Sequence, residues 1–195
     1  MLDISKSSSM LFCGITKDEA DLMLPCLGAV RKSFGRGERI MRSGQPTEHL
    51  GIVLSGRVRV EVSDAWGETT ILEILGPGSL FAHGYACSME PLDIDVLADS
   101  ACEVVLLKAE RIIHPCPMQC GCHSHISSNL MRALALSNLD MNRRAIAMTP
   151  KTIRGKILAF LSQQQKKAGT RVFTIPYSQT KLASYLSVDR SALSN

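Results

Sequence analysis

Two stretches of the chain carry side chains with chemistry in them. The first is His114 to His125, HPCPMQCGCHSH. It gathers three of the seven Cys and three of the five His within twelve residues. Thiolate and imidazole suit zinc, iron or copper, and thiolates alone suit an iron–sulfur cluster. Cys116, Cys120 and His123 have workable ligand spacing on a loop that enters a helix. Cys122, His125, a remote Cys such as Cys26 or Cys87, or a second subunit would complete the set. The candidate metal or redox residues are therefore Cys116, Cys120, Cys122 and His123. A thiol switch without metal, and plain packing of reduced thiols near a dimer interface, are the competing readings.

The second stretch is Tyr177 to Asn195, YSQTKLASYLSVDRSALSN. Leu182, Ala183, Tyr185 and Leu186 fall at helical spacing. Ser187 and Val188 break the pattern, and Asp189 is a good N-cap for a second helix. A helix, a tight turn and a second helix form the device that lays its second helix in the DNA major groove. Arg190, Ser191 and Asn195 then project from roughly one face. Arg reads guanine with two hydrogen bonds, and Asn reads adenine in the same way. Ser178, Gln179 and Lys181, at the start of the first helix, are the accompanying DNA-contact candidates. The competing reading is a helix pair with a solvated polar face and no partner.

Charge is segregated in the same direction. Residues 149–195 hold eight Lys or Arg against one acid, Asp189, a balance of +7. The whole chain carries only +4, so the remainder is slightly acidic at −3. A basic module on a near-neutral body is what a phosphate-binding surface needs. No apolar run approaches the 18 or so residues of a membrane span. The N-terminus lacks the basic start and apolar stretch of a signal peptide, which points to the cytoplasm. Seven Cys in a reducing compartment read as thiols, ligands or redox sensors and not as a disulfide framework.

The elements that must position these groups follow from the rest of the pattern. Residues 1–27 read as a leader and a short helix capped by Thr16, with Leu22, Met23, Leu24 and Leu27 as its apolar side. From Ala29 to Ala109 short runs recur between turn residues: AVRKSF, ERIMR, LGIVL, GRVRVEVS, ETTILEIL, SLFAHGY, LDIDVLA and CEVVLLKA. Val58, Val60 and Val62 alternate with polar residues at the strand period. About eight strands at this spacing predict a barrel or double-sheet jelly roll, residues 28–112, able to hold a small ligand. Phe81, His83 and Tyr85 are its effector-pocket candidates. The Gly76-Pro77-Gly78 turn reads as a strand connection.

Ser124 to Ala147 predicts one helix of about 24 residues, roughly 36 Å long. Ile126, Leu130, Leu134 and Met141 form one apolar stripe, and Met131, Ala135, Leu139 and Ile146 a second. One side is expected to pack on the roll and the other on a second copy of the chain. Residues 113–148 thus form a Cys/His loop and dimerisation helix. Thr149 and Pro150 are expected to cap and start the next helix, with Ile153, Ile157, Leu158 and Leu161 inward and Gly169 as terminator.

Roll, long helix and C-terminal helix-turn-helix in that order resemble the Crp/Fnr family of bacterial transcription regulators, over about residues 10–195. LSGRVRV (54–60), LGPGSLF (75–81) and LASYLSVDRSALS (182–194) carry the resemblance most specifically. The branch common in anaerobic Gram-positive bacteria is similar in a further respect, a Cys-x3-Cys-x2-His pattern matched here by Cys116, Cys120 and His123. The resemblance implies an α+β fold: a cyclic-nucleotide-binding-like β-roll, a long dimerisation helix and a winged helix-turn-helix. It implies a homodimer on palindromic double-stranded DNA, with half-sites about one helical turn apart. It also implies an effector or redox signal sensed in the roll, contact with RNA polymerase, and Arg190, Ser191 and Asn195 at base-reading positions.

Two departures qualify this. Members that bind cyclic AMP carry Gly-Glu after the LGPG-type turn and an Arg about ten residues on. Here Ala82 and His83 follow Phe81, and residues 84–95 contain no Arg. A cyclic phosphate wants charge-assisted donors, so cyclic AMP is not the expected effector. Cys13 and Cys26 are too far apart for the N-terminal cluster of the oxygen-sensing members. The chain also stops at Asn195, before the wing, so residues 149–195 are expected to be an incomplete DNA-binding domain that binds its operator weakly. The alternative function is a redox- or metal-sensing regulator that acts through protein contacts, its DNA-binding unit decayed. A cupin-type metalloenzyme needs His-x-His within the roll, and His49 and His83 are far apart. With no nucleophile–base pair, no enzyme is expected.

Overall fold

The computed structural model describes residues 9–64, 66–67, 69–114, 121–175 and 177–194. The side chains of Cys122, Lys181 and Ser194 lie outside that description. Two compact units divide within one long helix, the first ending at Leu134 and the second beginning at Ala135.

The first unit is a mixed helix-and-sheet fold around a β-roll. Its strands are β1 (Val30–Phe34), β2 (Arg39–Met41), β3 (His49–Ser55), β4 (Val58–Ser63), β5 (Thr69–Leu75), β6 (Leu80–Phe81), β7 (Asp95–Ala98) and β8 (Cys102–Lys108). They pair antiparallel in two four-stranded sheets, ordered β1-β8-β3-β6 and β2-β7-β4-β5. Val53, Val58, Val60, Phe81, Val96 and Val104 meet in a core shared by the two sheets. β3 and β8 are buried on both faces, because Leu50, Ile52, Val105 and Leu107 join a second core on the helical side. This explains why LGIVL and VVLL read as continuous apolar runs and not as alternating ones. On β4, Arg59 and Glu61 share the face opposite the valines and are ion-paired, although Glu61 is buried.

The SLFAHGY run is not one strand. β6 ends at Phe81, and Ala82 takes a left-handed conformation at φ +54. Helix α2 (His83–Ser88) follows. The left-handed residue turns the chain out of the sheet, which period-2 patterning does not reveal. Gly51 on β3 is in register with Phe81. A Cβ there would lie 1.9 Å from Phe81 Cζ, so the absence of a side chain makes room for the ring.

Helix α1 (Lys17–Cys26) begins with a capping box: Glu19 N–H donates to Thr16 Oγ1, and Thr16 N–H donates to Glu19 Oε2 at 2.8 Å. Ala20, Met23, Leu24 and Leu27, spaced i, i+3, i+4 and i+7, are its buried side. Leu22, expected inward, is 77% exposed because it sits on the opposite face. After α3 (Ala109–Ile113), helix α4 runs from Gly121 to Met148, three residues earlier than the sequence pattern predicts. Ile126, Leu130 and Leu134 pack into the helical-side core. Asn129 donates to the carbonyls of Leu11 and Cys13 at 3.0 and 2.8 Å, and so fastens the N-terminal segment.

The second unit contains the end of α4, α5 (Ile153–Ala168), α6 (Gln179–Leu186) and α7 (Arg190–Ser194). Thr152, not Thr149, caps α5: Gly155 N–H donates to Thr152 Oγ1 at 3.0 Å. Thr149 instead donates its hydroxyl to Ala145 O, on the last turn of α4. Phe160 is fully buried against Ala147 and Leu186, whereas Leu158 is 57% exposed. The apolar side of α5 is thus Ile157, Phe160 and Leu161, rotated from the predicted one. Gly169, at φ +69, ends the helix as predicted, its N–H donating to Gln165 O.

Candidate nucleic-acid interface

α6 and α7 are two short helices separated by the three residues 187–189. Ala183 and Leu186 of α6 are buried in the core around Phe160, with Leu182, Tyr185, Val188 and Leu193 packed against it. The rings of Phe160, Tyr177 and Tyr185 contact one another with centroids 5.4 to 5.9 Å apart. Such aromatic contacts add about 0.5–1.5 kcal/mol each beyond area burial. They hold α6 against α5.

The turn between the helices closes with two backbone hydrogen bonds. Ser187 N–H donates to Ser184 O at 3.2 Å and Val188 N–H to Ala183 O at 3.0 Å, with Ser187 at φ +48. This pairing around a left-handed residue is a Schellman ending. Asp189 then caps α7, its carboxylate accepting from the Ser191 N–H and hydroxyl at 3.2 Å each. Arg190 and Ser191 stand exposed at the start of α7, and Ser178 and Gln179 are exposed at the start of α6. These four predicted contacts lie on the surface of one small unit. Asn195 and the side chain of Lys181 lie outside the described residues.

Two cations that sequence reasoning did not single out hold the end of α6. Arg144 on α4 donates through Nε to Tyr185 O at 3.1 Å and through an Nη to Ser184 O at 3.2 Å. Its guanidinium also sits 5.5 Å from the Tyr185 ring centroid. Lys156 on α5 donates to Leu186 O at 3.3 Å. Helix-terminal carbonyls lack intrahelical partners and carry partial negative charge, so cations suit them. Lys156 therefore faces inward, although it counts toward the basic total of residues 149–195. Nothing local could have marked Arg144, because its partners lie about 40 residues away.

The other candidates are placed as follows. Cys116 and Cys120, and the side chain of Cys122, lie outside the described residues. His123 lies within the first turns of α4 and not on a loop. It is buried, and among the described residues its Nδ1 has no hydrogen-bond partner. His114 and His125 are exposed. Among the described residues no three His, Cys, Asp or Glu side chains form a group able to hold a metal ion. In the roll, Phe81 is a fully buried core ring over Gly51. His83 and Tyr85 are half-buried on α2. Burial holds the His83 pKa below its ordinary value, and among the described residues its Nδ1 has no hydrogen-bond partner.

Residues 31–114 match the family model described as the cyclic nucleotide-binding domain. The fold is accordingly an α+β fold built on a cyclic-nucleotide-binding-type β-roll of two antiparallel sheets. The cyclic AMP receptor protein of Thermus thermophilus is 35% identical over 75 residues, which is 38% of this chain. The match spans 34% of that relative, about a third of its length. Among solved structures, the catabolite activator protein of Thermus thermophilus aligns with 95% of this chain and 84% of its own. The TM-score is 0.55 at 21% identity. CprK complexed with OCPA aligns with 89% of this chain and 80% of its own, at TM-score 0.69 and 15% identity. At these identities the two structures speak to the fold alone.

Proposed function

We propose that this chain is a transcription regulator of the Crp/Fnr type, a homodimer that binds double-stranded DNA at a palindromic operator. The observation that carries the reading is the α6–turn–α7 pair, anchored by Phe160 and Leu186 and presenting Arg190 and Ser191 outward on a basic unit. Arg190 would read a base edge from the first turn of α7, while Ser178, Gln179 and Lys181 would contact the backbone. Asn195 would extend the same face. Phosphate contacts from the basic unit would set the register, and α7 would supply the sequence preference.

The homodimer reading is supported by the second apolar side of α4. Met131, Leu139 and Ile146 of that side are exposed, an unusual cost for a helix with no further partner, and Met141, expected on the side facing the roll, is exposed as well. Among the described residues no helix is long and apolar enough to cross a membrane, in keeping with a cytoplasmic regulator that contacts RNA polymerase. The roll is the proposed sensor. An effector in it would meet the half-buried His83 and Tyr85 rather than an arginine, which argues against cyclic AMP. The Cys/His segment remains the candidate for a metal, cluster or thiol signal.

The test is selection of duplexes from a randomised pool by the 195-residue chain, followed by titration of single-base variants. The expected product is a two-fold symmetric sequence with half-sites about one helical turn apart. Replacing Arg190 with Ala should cost about 1–3 kcal/mol at one base pair of each half-site and relax preference there. An unchanged preference at every position would refute the assigned register. In sedimentation, a chain that stays monomeric at tens of micromolar would refute the dimer.

A further inference from the structure

We propose that Arg144 is the positioning residue that fixes the recognition helix α7 to the long helix α4, by holding the carbonyls that close α6. The proposal rests on the DNA-binding reading for its consequence and on the geometry of the second unit for its cause. α6 has eight residues, and its final carbonyls belong to Ser184, Tyr185 and Leu186. All three accept from cationic side chains: the first two from the fork of Arg144, the third from Lys156. The donors come from different helices. Arg144 belongs to α4 and Lys156 to α5. The end of α6 is therefore tied to both at once.

This end is also where the direction of α7 is decided. Only Ser187, Val188 and Asp189 separate the two helices. Ser187 holds a left-handed conformation that glycine usually fills, and such a conformation persists when its surroundings over-determine it. The surroundings here are the two Schellman hydrogen bonds, one of them sharing Ser184 O with Arg144. The Ser187 hydroxyl also lies 4.0 Å from the sulfur of Met148, at the end of α4. Stacking of the guanidinium over Tyr185 fixes which way its fork points. A shift of the C-terminal part of α4 would thus pull on the last turn of α6 and swing α7 through the short turn. Loss of the fork would leave α7 formed but free to reorient.

A structural role alone predicts something different. If Arg144 merely stabilised the unit, its loss would loosen α5, α6 and α7 together. The experiment combines amide hydrogen exchange on the full chain with duplex binding, for the wild type, Arg144→Gln and Arg144→Lys. The DNA probes are a duplex selected by the wild type and a scrambled duplex of the same length. For Arg144→Gln, exchange should rise at residues 184–194 while the Phe160 segment of α5 keeps its protection. Affinity for the selected duplex should fall roughly tenfold, the loss of about one charge-assisted hydrogen bond, with the scrambled duplex bound within about twofold of wild type. Arg144→Lys keeps the charge without the fork and should fall between. Equal loss of protection across α5 to α7, or equal weakening on both duplexes, would overturn the positioning role. So would unchanged exchange at 184–194. A wild type that selects no sequence would defeat the DNA-binding reading itself, and the exchange data alone would then decide whether Arg144 holds α7.

Discussion

Replacing Gly51 with Ala asks whether Phe81 belongs to the core or to a ligand site. The added Cβ would stand 1.9 Å from Phe81 Cζ and 2.3 and 2.4 Å from its two Cε atoms. A methyl there would intrude on the edge of the ring. The ring has no escape, since Phe81 is 2% exposed and bounded by Val53, Val96 and Val104. Overpacking of this kind costs about 1–3 kcal/mol, and the rigid surroundings put this case near the upper end. Removing a strand glycine returns roughly 0.5–1 kcal/mol through the unfolded chain. The net is a loss of about 2 kcal/mol, or roughly 4–8 °C in Tm for a chain of this size. Urea unfolding followed by circular dichroism measures it. Phe81→Leu alone should also destabilise, but the double variant should cost less than the sum by about 1–2 kcal/mol, because the smaller side chain vacates the space the methyl needs. Additive costs would refute the reasoning and would mean that the ring already moves freely, as a ligand-gated side chain would.

Phe160→Ala should cost about 3–5 kcal/mol and unfold the α5–α7 unit, read as loss of its amide protection, because the ring is fully buried where α5 and α6 meet. Asp189→Ala should cost about 1 kcal/mol through the lost cap on α7, and Asp189→Asn should restore most of it; equal destabilisation by both would contradict the cap. Burial, with help from Lys108, lowers the His49 pKa below its ordinary 6.5, and burial alone lowers that of His83. Burial thus favours the neutral form of both rings in the folded state. Their contribution is full above pH 6.5 and lost as the pH falls through the depressed folded values, so the urea midpoint should drop between pH 7.5 and 5.5 and drop less in His83→Gln.

Much of this was legible in the sequence, for physical reasons. The strands of the roll announce themselves because short apolar runs such as LGIVL and CEVVLLKA, set off by turn residues, have little other use. Thr16, Gly169 and Asp189 mark helix ends because capping is a local interaction between near neighbours. Where local pattern had two answers, it misled. HGYACS carries no helix stripe, and its first three residues read as the end of the SLFAHGY strand. Thr149 and Thr152 both precede a helix, and only the contact with Gly155 selects the second. Leu158 fits the apolar spacing of α5 with Ile157 and Leu161 as Phe160 does, and only packing against Ala147 and Leu186 selects Phe160. The role of Arg144 was hidden altogether, because guanidinium and carbonyls meet only after three helices have packed. Gly51 did carry a signal: a glycine inside an apolar strand marks a close approach.

In the proposed function, α7 reads DNA sequence. The most direct test is duplex selection by the wild-type chain and by Arg190→Ala, side by side, with the enriched base at each position compared. The wild type should show a two-fold symmetric preference, which loses one base pair in each half-site in the variant and weakens with rising salt. A wild type that enriches nothing above the input pool, or a variant with the same preference at every position, would contradict it.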